Sequence, residues 1–146
     1  DPITLVEAGG LSNIVMSPDS HWLAGIYNKP DAQEQEIWLW SFDDLTAPPV
    51  ILGLPNSDAS ILTLAFGDPA SKEYWLAVGL ADGSIYTWNV PDLPNAQPTL
   101  FYHDRSGNSA VDMKFSPNGL WLAVAFVPDY ASQTVVTGPF MLLWDI

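Results

Sequence analysis

The sequence predicts an all-β fold built from three copies of one unit, and three recurring features lead to that reading. Stretches beginning Trp-Leu-Ala occur at Trp22, Trp75 and Trp121, spaced 53 and 46 residues apart. Each is preceded by a segment of alternating apolar residues that ends in a turn: SNIVMSPDS, LTLAFGDPA and VDMKFSPNG. Each is followed by a tryptophan-centred stretch, EIWLWSF, SIYTWNV or MLLWDI. No part of the chain carries a sustained helical period.

The elements of a unit follow in order. Ser12, Ile14 and Met16, then Leu62, Leu64 and Phe66, then Val111, Met113 and Phe115 recur with period two, which places each trio on one face of a strand. Ser-Pro-Asp and Ser-Pro-Asn end that strand, because proline fixes φ and has no amide for a ladder. The Trp-Leu-Ala strand comes next, with bulky residues alternating with small ones. In the middle unit Asp82-Gly83 fits a two-residue hairpin turn, since glycine tolerates positive φ. The tryptophan strand is third. The short apolar pieces ITLVEA, PVILGL and PTLFYH, each flanked by Pro, Asn or Gly, supply a fourth. The units span roughly residues 3–42, 49–90 and 98–146 of a single domain.

Composition bounds the function. The 146 residues are 48% hydrophobic and include seven tryptophans, too apolar for a disordered chain. The longest apolar runs, such as LWLAVAFV, fall far short of the ~20 residues of a membrane-spanning helix. Seventeen Asp and Glu stand against four cations, Lys29, Lys72, Arg105 and Lys114, for a formal charge of −13. Phosphate recognition needs convergent Lys and Arg, so nucleic acid and anionic membrane are poor partners. The acidic surplus either keeps an apolar chain soluble or docks a basic partner. Cysteine is absent, so no disulfide or thiolate metal site can form. Because the chain begins at Asp1, the sequence predicts removal of a signal peptide, a longer N-terminal region or a cloning leader. Export is favoured over the cytoplasm on that ground.

VDMKFSPNGLWLAVAF…LLWDI and LAFGDP…YWLAVGLADGSIYTWNV resemble WD repeats. The first unit, IVMSPDSHWLAGIYNKPDAQEQEIWLWSF, also resembles the propeller repeats of TolB-type periplasmic proteins. The resemblance covers essentially the whole chain and implies a β-propeller of four-stranded blades. Of the family's hydrogen-bonded set, the middle unit keeps Asp82 and Trp88. The third keeps His103 and Trp144, but Ala123, Val124 and Ala125 offer it no hydroxyl. Trp40, Trp88 and Trp144 occupy matching structural positions. The family's register also implies that the first strand of each sequence unit is the outer strand of the preceding blade. ITLVEA then awaits another blade, and MLLWDI belongs to a blade without its outer strand. Three blades do not close a ring, so the expected partner is a second copy giving six blades, with a companion propeller fragment as the alternative.

The same register gathers the loops between second and third strands on one face with those between units. The long loops there carry Asp31, Glu34 and Glu36 in NKPDAQEQE, and Asp129 and Tyr130 in PDYASQTVVTGP; HDRSGN contributes Arg105. These six are the candidate partner-binding residues, with ordinary solvated loops as the plain alternative. No catalytic, cofactor or metal site is predicted. His21 and His103 are expected on opposite faces, Ser106, His103 and Asp104 are too close in sequence for a triad, and no paired histidines suggest zinc. His103 is expected to cap or orient a loop. Trp38 is the one tryptophan off the repeat and is read as a contact residue on an outward face. The resemblance implies a non-catalytic interaction and assembly scaffold. Two alternatives are a head-to-tail structural subunit and a propeller-type hydrolase using carboxylates such as Asp112.

Overall fold

The computed structural model describes residues 2–6, 9–30, 32, 34–55, 58–71, 73–128 and 140–146. The fold is all-β. Strands β1 (Gly10–Met16), β2 (Trp22–Asn28), β3 (Gln35–Ser41) and β4 (Val50–Leu52) form the first sheet. Strands β5 (Ile61–Phe66), β6 (Trp75–Leu80), β7 (Ser84–Asn89) and β8 (Thr99–His103) form the second. The third holds β9 (Asn108–Phe115), β10 (Trp121–Pro128) and β11 (Met141–Asp145). Each sheet is an antiparallel meander in chain order. PVILGL and PTLFYH thus supply the fourth strands of the sheets before them. Residues 3–6 of ITLVEA form no strand within this chain, and Ile3 is exposed.

The turn after the first strand uses the same chemistry wherever its serine recurs. Ser17 Oγ accepts the Trp22 amide at 2.8 Å and meets Asp19 at 2.5 Å. Ser116 Oγ accepts the Trp121 amide at 3.0 Å and meets Asn118 at 2.6 Å. The proline between serine and Asp or Asn keeps the ladder from continuing. Two sequence expectations change in detail. The β6–β7 connection has three residues, Ala81 to Gly83, with Gly83 at φ +82° and the Asp82 carboxylate accepting the Ser84 amide. The first strand of each sheet carries a bulge, in β1 between Ser12 and Val15, in β5 between Ile61 and Thr63, and in β9 opposite Ala125 and Phe126. One extra residue shifts the pleat. Ile61 therefore joins Leu64 and Phe66 in the core in place of Leu62, and Ala110 joins Met113 in place of Val111.

The second sheet lies between the other two. Toward the first it presents Leu64, Leu76, Val78, Leu80 and Trp88, which pack with Ala24, Ile26, Ile37 and Leu39. Toward the third it presents Ala65, Ala77 and Ile85, which meet Met113, Leu122, Val124 and Phe126. Strand β5 touches β1 and β9, so the three first strands run side by side. An aromatic chain closes the second junction: Trp75 to Phe101 at 5.5 Å, Phe101 to Trp144 at 5.5 Å, and Tyr102 to Trp144 at 5.1 Å between ring centres.

Two substitutions test this packing. Trp88→Ala empties a wholly buried site between two sheets and should cost about 3–5 kcal/mol. Urea unfolding would show a lower midpoint at unchanged slope. At Gly79 an added methyl would meet Thr63 Cγ2 at 2.9 Å and Ala110 Cβ at 3.0 Å, so Gly79→Ala should cost about 1–3 kcal/mol through overpacking.

Candidate functional site

A cleft of about 550 Å³ lies between the β2–β3 loop and the β4–β5 segment. Its walls come from opposite sides of the first junction. The β4 end brings Ile51, Leu52 and Leu54, and the start of β5 brings Ala59, Ser60 and Ile61. Gln35 ties the walls together: its Oε1 accepts the Ile61 amide at 2.7 Å, and its Nε2 donates to Asn28 Oδ1 at 2.9 Å.

The rim is charged. Lys29 Nζ lies 2.8 Å from Glu34 Oε2 and 2.9 Å from Glu36 Oε1, and the loop is tightened by the Lys29 amide donating to the Glu34 carbonyl at 3.2 Å. Glu36 also accepts the Trp38 indole N–H at 2.8 Å. Hydrogen bonds that the Lys29 ammonium donates to Glu34 and then Glu36 hold it above its ordinary range. Lys29 and then Trp38 hold the Glu36 carboxyl below its ordinary value of 4.5. Asp58 stands on the opposite wall with its carboxylate exposed. Three carboxylates and one ammonium leave the rim with a net charge of −2. Ion pairs this exposed position side chains more than they stabilise the fold.

The structure brings Glu34 and Glu36 together in this cleft. Arg105 sits on the β8–β9 loop outside its lining, and Asp31, Asp129 and Tyr130 lie outside the described residues. Lys29, Gln35 and Asp58 complete the site and were not singled out from sequence. A lone lysine inside an acidic loop was the available signal for the first of them. Trp38 stacks on Tyr27, with ring centres 3.8 Å apart, on the outward face of the first sheet.

The histidines sit at opposite ends of the strands. His21 precedes β2, 3.6 Å from the Asp43 carboxylate, and His103 ends β8 opposite Ser84. The imidazole of His103 makes no hydrogen bond among the described residues; Asp104 orders the following loop instead. Its carboxylate is buried and accepts the amides of Ser106 and Asn108, each at 3.3 Å. With Asp104 so engaged, Ser106, His103 and Asp104 do not form a relay. Asp82 is exposed, whereas Trp40 and Trp88 are buried. Asp112 pairs with Lys114 at 2.9 Å on β9. Among the described residues, no three His, Asp or Glu side chains converge as a metal site. The sequence matches no protein-family model and no curated protein.

The rim predicts a specific titration. Glu36 has a folded pKa below its unfolded value, so its contribution is present above about pH 4.5 and is lost as pH falls through the folded pKa. Lys29→Met should move the Glu36 midpoint up toward the ordinary value without reaching it, because the Trp38 N–H remains. A carboxyl-carbon NMR titration reads that shift, and the acid limb of stability should flatten with it.

Proposed function

We propose that the chain is a non-catalytic binding scaffold of the WD-repeat β-propeller type that holds a basic segment of a protein partner in the Lys29–Asp58 cleft. The observation that carries this reading is the pairing of an apolar floor with a carboxylate rim in one cleft spanned by two loops. Its net negative charge disfavours phosphates and other anions and attracts Lys or Arg. Ile51, Leu54 and Ile61 offer an apolar neighbour of that cation a surface to pack on.

The propeller part of the reading draws on the meander order and on the side-by-side run of β1, β5 and β9, as inner strands around an axis would lie. Loops at one end of such a scaffold can vary freely, because the sheets beneath supply the core. The binding reading rests on the cleft, since fold alone does not assign function. A hydrolase reading has less to draw on: Asp112 is engaged by Lys114, and Asp104 is occupied by backbone amides.

A calorimetric titration tests the proposal with two short peptides, one carrying lysines beside a leucine and one with glutamates in their place. The lysine peptide should bind at one site per chain and weaken steeply between about 50 and about 500 mM salt. Glu34→Gln combined with Asp58→Asn should weaken it at least about tenfold, equivalent to ~1.4 kcal/mol. Equal binding of the glutamate peptide, or no loss in the double variant, would overturn the reading.

A further inference from the structure

Pairing registers show that the three sheets present equivalent positions. Trp22, Ala24 and Ile26 of β2 face Ser41, Leu39 and Ile37. Trp75, Ala77 and Gly79 of β6 face Asn89, Thr87 and Ile85. Trp121, Ala123 and Ala125 of β10 face Asp145, Leu143 and Met141. Every sheet thus has a forward face carrying this set and a backward face carrying the alternate residues. In each junction inside the chain, the forward face of one sheet meets the backward face of the next. The first strand of the following sheet lies over the second strand of the preceding one: β5 touches β2, and β9 touches β6. At the second junction the small residues make room for that strand, since a methyl on Gly79 would already strike Ala110.

One face of each kind is left over. The forward face of the third sheet exposes Trp121 (41%), Met141 (70%) and Leu143 (60%) around Ala123 and Ala125. The backward face of the first sheet exposes Ile14 (63%) and Met16 (69%), with Leu11 and Ile14 settled against Gly25. Exposed apolar residues gathered on one sheet face mark an interface. These two are the two halves of a junction the chain already makes twice.

We infer that a second copy of this chain covers them: its β1 lies over Ala123 and Ala125 of β10, and the reciprocal contact closes a two-chain ring of six sheets. The contact is heterologous, so it must close or polymerise, and six blades fall within the range of closed propellers. The face pairing stands on the register alone; only the closure rests on the propeller reading. Charge permits the contact. Among the described residues, the carboxylates on the third sheet's open face are Asp112, paired with Lys114, and Asp145 at the strand end. On the first sheet's open face Glu36, opposite Tyr27, is paired with Lys29.

Native mass spectrometry and sedimentation across a concentration series test the inference on the intact chain. The expected species is a discrete dimer that tightens as salt screens the −13 charge, opposite to the salt response of peptide binding, so the two readings fail separately. Met16→Glu and Leu143→Glu change exposed side chains and should each yield a folded monomer. Mixed one to one, they should associate, because one junction in the mixed pair is unaltered. A monomeric wild-type chain at about 1 mM would overturn the pairing, as would a mixture that stays monomeric. Open-ended growth in mass would overturn the closure.

Discussion

A sheet that carries large apolar side chains on both faces must be covered on both. That requirement organises this chain. Every residue of β6 from Leu76 to Leu80 is buried, and alternate positions go to different neighbours: Leu76, Val78 and Leu80 to the first sheet, Ala77 and Gly79 to the third. The two-residue period of the pleat makes this division possible. It also makes it strict, because a slip of one residue would send the bulky set to the side built for the small one. The central sheet satisfies the constraint within the chain. The outer two satisfy it on one side each.

Complementarity between the faces comes from alternation of size along the second strand of each sheet. Tryptophan, alanine and then Gly79 or Ala125 line the forward face of the second and third sheets, leaving a shallow trough into which a bulged first strand can lie, whereas the first sheet has Ile26 at that position. The bulges in β1, β5 and β9 recur at similar points of their sheets and raise the local twist of these strands. Serine-based turns at the β1–β2 and β9–β10 ends lock the entry into the Trp-Leu-Ala strand. Local turn chemistry, pleat and packing thus agree within each unit, which is the condition for a sequence to select one fold.

Much of this was legible in the chain. The three Trp-Leu-Ala strands, the tryptophan strands after them, and the fourth strands at Val50–Leu52 and Thr99–His103 were each marked by a pattern that acts over a few residues. The bulges were not, because an extra residue in a strand looks like ordinary alternation until its partner's register is known. The third residue of the Ala81–Gly83 turn was hidden for the same reason. At the cleft, Glu34 and Glu36 were readable as an acidic loop. Asp58 reaches them only through the packing of β5 on the first sheet, a contact between positions more than twenty residues apart. Sequence does not say which of the neighbours His103 and Asp104 turns inward, and the buried one is Asp104. Asn108 is likewise wholly buried, with no hydrogen-bond partner for its side-chain amide among the described residues, a burial that no local pattern announces.

The acidic surplus follows the same geometry. Asp19, Asp43, Asp44, Asp58, Asp68 and Asp82 all lie in turns or loops, Asp92 ends the 3-10 turn Val90–Asp92, and Glu36 stands near the start of its strand. Asp112, the one carboxylate well inside a strand of the third sheet, is matched by a lysine two residues along. Charge is thereby kept off the surfaces that need burial and gathered at the strand ends, where water solvates it. Packing governs the sheet faces and electrostatics governs the rims, so the two can vary independently. A loop such as β2–β3 can then take on Lys29, Glu34 and Glu36 without disturbing the register beneath it, and the cleft arises where the first unit departs most from the repeat.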